Sequence, residues 1–105
     1  MIVEYIRYKI TSEQQTAFIE AYRQAVKQLA ASTYCLGFEL SHCEEESERF
    51  ILRIEWTSTA DHLQRFRNSQ EFRSFLPLIK PYFENIEEMQ HYHVTDVVSE
   101  NRKSP

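Results

Sequence analysis

The chain is expected to fold as a single α+β domain, a ferredoxin-like β-α-β-β-α-β antiparallel sheet with its helices on one face. Four segments, 2–10, 34–43, 49–56 and 88–97, are rich in β-branched and aromatic side chains or alternate apolar with polar. Between the first pair and between the last pair lie apolar residues at helical spacing. No linker or low-complexity run divides the 105 residues, a length that suits one domain and one core.

The first segment, IVEYIRYKI, reads as a strand. Thr11 and Ser12 then offer N-caps, with Gln15 placed as the capping-box partner of Ser12. Phe18, Tyr22, Ala25, Val26 and Leu29 recur on one helix face as far as about Ala31. In YCLGFELSHC the alternation puts Leu36, Phe38, Leu40 and His42 on one side of a second strand. Glu44-Glu45-Glu46-Ser47-Glu48 is a solvated turn. The clearest strand follows, RFILRIEW, with Phe50, Leu52, Ile54 and Trp56 on a single face. Thr57, Ser58 and Thr59 break it and cap a helix over 60–68. Ser69 caps another short helix, expected to run to Phe75 or Leu76 and to stop at Pro77. Residues 78–86 form a connector and 88–97 the last strand. The domain therefore covers 1–97, and 98–105 is expected to be a flexible tail.

Leu36, Phe38 and Leu40 with Phe50, Leu52, Ile54 and Trp56 make one apolar face for the helices to cover. The opposite face carries Tyr5, Arg7, Glu39, Ile51, Arg53 and Glu55. Its mixed signs suit closure by a second copy, with the charges pairing across strands, so a homodimer is expected. A net charge of -4 supplies no basic footprint for nucleic acid. Gly37 alone cannot build a phosphate-cradling loop, since it is the chain's one glycine. No stretch approaches a membrane span, and a cytoplasmic location is expected. Cys35 and Cys43 lie about 26 Å apart along an extended strand, beyond disulfide reach.

The stretch ILRIEWTSTADHLQRFRNSQEF joins a strand ending in Glu-Trp, a Ser/Thr turn and a helix running into Ser-x-x-Phe. In this, and in element order over 1–97, the chain resembles the antibiotic biosynthesis monooxygenase family. The resemblance implies a dimeric α/β barrel, with each monomer's cavity between its helices and its sheet. It implies oxidation of quinols or polyaromatic phenols by O2 without flavin, metal or haem, so no cofactor is expected. The substrate's own enolate or phenolate donates the electron, while the protein positions, deprotonates and desolvates it.

Trp56 and Phe72 match the family pattern. Many members place a histidine three residues before the serine, where this chain has Phe66. The haem-opening branch is marked by an asparagine on the first strand, a tryptophan in the second helix and a histidine four residues past the phenylalanine. Here the first strand has no asparagine, and the other two positions are Phe66 and Leu76. Haem opening is not expected.

His62, one helical turn before Phe66, is the candidate base, since a neutral imidazole can accept a phenolic proton. A guanidinium, Arg67 above Arg65 and Arg73, can hold the oxyanion. Trp56, Phe66, Arg67 and Phe72 are the candidate substrate-binding residues. The competing reading makes His62 and the arginines solvated and the phenylalanines core. His91 and His93 project from one strand face but lack an evident third ligand, because His42 lies on a strand that should not neighbour theirs; no metal site is expected. The function implied is a cofactor-independent monooxygenase acting with O2 on a small aromatic or quinol-type molecule. The alternative is a non-catalytic ligand-binding or interaction domain of the same fold, motivated by Phe66 in the place of the family's histidine.

Overall fold

A computed structural model describes residues 1–99. Strands β1 (Ile2–Lys9), β2 (Cys35–His42), β3 (Arg49–Trp56) and β4 (Ile86–His93) form one antiparallel sheet in the order β2-β3-β1-β4. Helices α1 (Gln15–Ala31) and α2 (Gln70–Ile79) cover one face of it. The expected ferredoxin-like architecture is thus the observed one.

Period-two alternation decides the faces. Ile6 and Tyr8 of β1 and Phe50, Leu52, Ile54 and Trp56 of β3 point to the helices and are buried with Phe18, Tyr22, Ala25 and Leu29 of α1. Phe18 is the hub, its ring lying 4.9 Å from Tyr8, 5.2 Å from Tyr22, 5.1 Å from Phe50 and 5.1 Å from Tyr82. The other face carries Tyr5, Arg7, Ile51, Arg53 and Glu55, as the alternation requires. Its charges pair differently from expectation. Arg7 meets Glu88 on β4, and Arg53 pairs along its own strand with Glu55.

Several local expectations are corrected. Leu36 is 53% exposed and Phe38 37%, so β2 does not complete a fully covered apolar face. The register slips between Cys35 and Gly37, which leaves Leu36 in a bulge, and β2 lies at the sheet edge, where of its apolar side chains only Cys35 and Leu40 pack against the core. The capping box does not form. A 3₁₀ turn over Ser12–Gln14 precedes α1, and Gln15 Nε2 instead donates to the carbonyls of Ile10 (3.1 Å) and Ser47 (2.8 Å). Pro77 does not stop α2, which continues to the buried Ile79. Proline in the last turn removes one intrahelical hydrogen bond and crowds the carbonyl four residues back, a local cost that ends within the turn, and Pro77 itself faces solvent. The connector after it is a 3₁₀ segment, Lys80–Asn85, anchored by Tyr82 against Phe18. The last strand begins at Ile86 and ends at His93, not at 97. From residue 100 on, the expected tail lies outside the described residues.

The helix expected over 60–68 is a π-helical turn, Asp61–Arg65, followed by a 3₁₀ turn, Phe66–Asn68. Ser58 caps its start by accepting from the Asp61 N–H at 2.9 Å, and the Phe66 N–H bonds both the Asp61 and His62 carbonyls. Such wide turns concentrate at functional sites. Ser69 caps α2 by accepting from the Phe72 N–H at 3.2 Å, as expected. Cys35 and Cys43 are both free thiols.

Replacing the hub should empty the core without altering the surface exposed on unfolding. Phe18→Ala is expected to lower stability by about 3–5 kcal/mol with the urea m-value unchanged. A loss below about 1 kcal/mol in urea titrations would contradict the packing described.

Candidate active site

Between the sheet and α2 lies a cavity of about 220 Å³. Its walls are apolar: Ile6 and Ile54 from the sheet, Phe66 from the 3₁₀ turn, and Phe72, Phe75 and Ile79 from α2. A cavity of about 150 Å³ accommodates one benzene, so this volume suits a one- or two-ring aromatic molecule.

One corner is polar. Glu4, on β1, occupies a position where alternation calls for an apolar side chain, between Ile2 and Ile6, and is only 1% exposed. Its carboxylate accepts a hydrogen bond from Trp56 Nε1 at 3.0 Å. The two residues come from neighbouring strands, β1 and β3, paired so that Ile2 opposes Trp56 and Glu4 opposes Ile54. The imidazole of His62 stacks on the Trp56 indole, with ring centres 4.2 Å apart and planes 12° from parallel. Its Nε2 lies 3.7 Å from Glu4 Oε1, while its Nδ1 is 2.7 Å from His91 Nε2. His91 stands directly opposite Glu4 in the β1–β4 register.

Burial and charge set the protonation states. His62 is 4% exposed. Desolvation, then the positive charge of Arg67 and the neighbouring His91, push its pKa down to about 3. His91 is lowered as well, by burial first and then by Arg67. Glu4 is raised because burial outweighs the Trp56 hydrogen bond and the attraction of Arg67. Both imidazoles are therefore neutral at physiological pH, and the His62–Glu4 approach is not an ion pair. Deeper in, Tyr8 lines the cavity and shares a short hydrogen bond with Tyr22. Burial above all pushes the Tyr8 phenol up to about 12.

All five residues singled out in the sequence, Trp56, His62, Phe66, Arg67 and Phe72, line this one cavity. His62 is not a surface histidine, and Trp56 is both core and cavity wall. Arg65 and Arg73 do not line it. Arg65 pairs with Asp61, and Arg73 reaches the Asn68 carbonyl. Glu4 and His91 were not foreseen as site residues. The signal for Glu4 was available as a carboxylate on the core side of an alternating strand. His91 needed the strand order, which alone brings β4 beside β1. Glu4 and His62 also supply the partners that His91 lacked in the sequence, whereas His93 and His42 stay outside the cluster.

A sheet with helices on one face, closing an apolar cavity around a buried polar corner, defines a small ferredoxin-like α+β domain. The chain belongs to the antibiotic biosynthesis monooxygenase family, whose sequence model matches residues 1–77. It is 26% identical over 92 residues to the Bacillus subtilis protein YczJ, covering 88% of this chain and 97% of that one. It superposes with a TM-score of 0.74 on a Bordetella bronchiseptica protein assigned as an antibiotic biosynthesis monooxygenase, at 22% identity over 90% of this chain and 96% of the other. Rv0793 from Mycobacterium tuberculosis gives a TM-score of 0.72 at 14% identity, covering 93% and 98%. At these identities the structural likenesses speak to the fold.

The depressed His62 pKa makes a stability prediction. The unfolded chain binds a proton on this residue near pH 6.5, the folded chain only near pH 3. Its contribution is thus fully present above pH 6.5 and lost as pH falls toward 3, with a slope of at most about 1.4 kcal/mol per pH unit. Glu4, with its raised pKa, acts in the opposite sense. His62→Gln is therefore expected to lose less stability than the parent chain between pH 6.5 and 4 in denaturant titrations. Parallel acid profiles for the two proteins would contradict the assigned burial.

Proposed function

We propose that the protein is a monooxygenase that oxidises a small aromatic, quinol-type substrate with O2, the substrate itself supplying the electrons. The observation that carries this is the placement of His62, a buried neutral imidazole at the polar corner of an otherwise apolar cavity, with Arg67 on the same wall. The cavity walls hold the ring and exclude water. His62 accepts the phenolic proton at one ring nitrogen as the other passes a proton to His91, so the buried ring does not carry a full charge in the resting state. Arg67 pairs with the substrate oxyanion. One hydroquinone and one O2 then give one hydroxyquinone and one water, which balances atoms and electrons without an external reductant.

The test is oxygen uptake with a panel of hydroquinones. The reading expects turnover that falls at least about a hundredfold in His62→Ala. A second reading, a ligand-binding domain without turnover, draws support from Phe66 at the family's histidine position and from the weak basicity that burial imposes on His62. It expects Trp56 fluorescence to respond to an aromatic ligand while no oxygen is consumed, and turnover dependent on His62 would exclude it.

The proposal includes a homodimer closed through the outer sheet face. Arg53 and Glu55 are already largely covered there within one chain, and Glu55 Oε1 is a buried oxygen without a hydrogen-bond partner among the described residues. A second sheet laid on this face supplies one. Light scattering at micromolar concentration is expected to report twice the 12.6 kDa chain mass; a monomer would overturn the dimer.

A further inference from the structure

Glu4, His62 and His91 each offer one ligand atom, and these atoms all lie within 4.8 Å of one another. We propose that this trio binds one divalent transition-metal ion. The proposal departs from the metal-free chemistry that family membership suggests, and it stands apart from the oxidation reading, since binding requires no turnover.

The donor set selects the kind of ion. Two imidazole nitrogens and one carboxylate oxygen suit zinc, iron, cobalt, nickel or copper, whereas magnesium and calcium take oxygen ligands. Three protein ligands leave at least one coordination position, and two of the three, Glu4 and His62, line the cavity.

The scaffold already orients the ligands. Glu4 and His91 face each other on adjacent strands, so their separation is fixed by the sheet. His62 is held flat against Trp56, and the Trp56 N–H fixes the Glu4 carboxylate. One indole thus steadies two of the three ligands, the part that outer-sphere groups play in metal sites. Two neutral imidazole nitrogens, His62 Nδ1 and His91 Nε2, point at each other across 2.7 Å with one proton between them. A tetrahedral ion with bonds of about 2.05 Å keeps neighbouring ligand atoms about 3.3 Å apart. Replacing the shared proton by an ion therefore asks the rings to part by roughly half an ångström, while the carboxylate closes in. Arg67 lowers the affinity for a bare cation and favours an ion that also carries an anionic oxygen ligand. Loading the site occupies the His62 nitrogen that faces His91, so the metal-bound and proton-relaying states exclude each other.

The full chain is stripped with a chelator, dialysed and titrated with Co²⁺. Visible d–d absorption is followed together with the fluorescence of Trp56, the chain's one tryptophan. The expected result is saturable uptake of one ion per chain that quenches Trp56 and is displaced by Zn²⁺. Affinity should fall at least about tenfold in His91→Ala and stay unchanged in His93→Ala. His91→Gln, with far-UV circular dichroism on each variant, keeps the test valid should the alanine variant unfold. Absence of quenching up to about millimolar Co²⁺ overturns the proposal. So does uptake that survives both His91 variants, or that is lost in His93→Ala. Oxygen uptake is measured on the same metal-free preparation, so failure of metal binding and failure of the oxidation reading are separately visible.

Discussion

The hydrogen bond from Trp56 Nε1 to Glu4 is the interaction on which the site depends. A carboxylate on the core face of a central strand loses its hydration, and without a partner its burial costs several kcal/mol. The indole N–H answers one oxygen, while the indole face supports the His62 ring. Remove Trp56 and two polar groups lose their fixed geometry together. The cavity corner is therefore a property of strand pairing as much as of the residues. β3 brings Trp56 to one side of β1, and β4 brings His91 to the other.

The electrostatics follow from the same burial. An apolar enclosure keeps His62 and His91 uncharged and resists ionisation of Glu4, and Arg67 adds a positive field that reinforces the first effect and opposes the second. A cavity in that state carries no strong negative charge of its own and has a guanidinium on its wall. It is suited to an aromatic molecule that becomes anionic inside it.

Much of this was legible in the chain. Four strands and two helices follow from periodicity and from caps such as Ser69, because those signals are local. The cavity-lining segment from Trp56 to Phe72 was legible through its family resemblance. What could not be read was non-local or backbone-specific. The bulge at Leu36 depends on pairing with β3. The π turn at Asp61–Arg65 keeps the same residues facing inward that an α-helix would, so spacing could not distinguish the two. The capping box failed because Gln15 found better partners in Ile10 and Ser47, the second from a turn distant in sequence. His91 was weighed with His93 because they share a strand face, whereas the sheet joins it to Glu4 and His62.

The central claim is that the space between sheet and α2 receives a small aromatic molecule with its oxygen at the Glu4–His62–Arg67 corner. A crystal structure of the protein with a bound hydroquinone tests this most directly. The account predicts the ring against the Phe66 and Phe72 side chains that line the cavity, with one oxygen within hydrogen-bonding distance of His62 or Arg67. A ligand seated on the outer sheet face, or a cavity filled by the protein's own side chains, would contradict it.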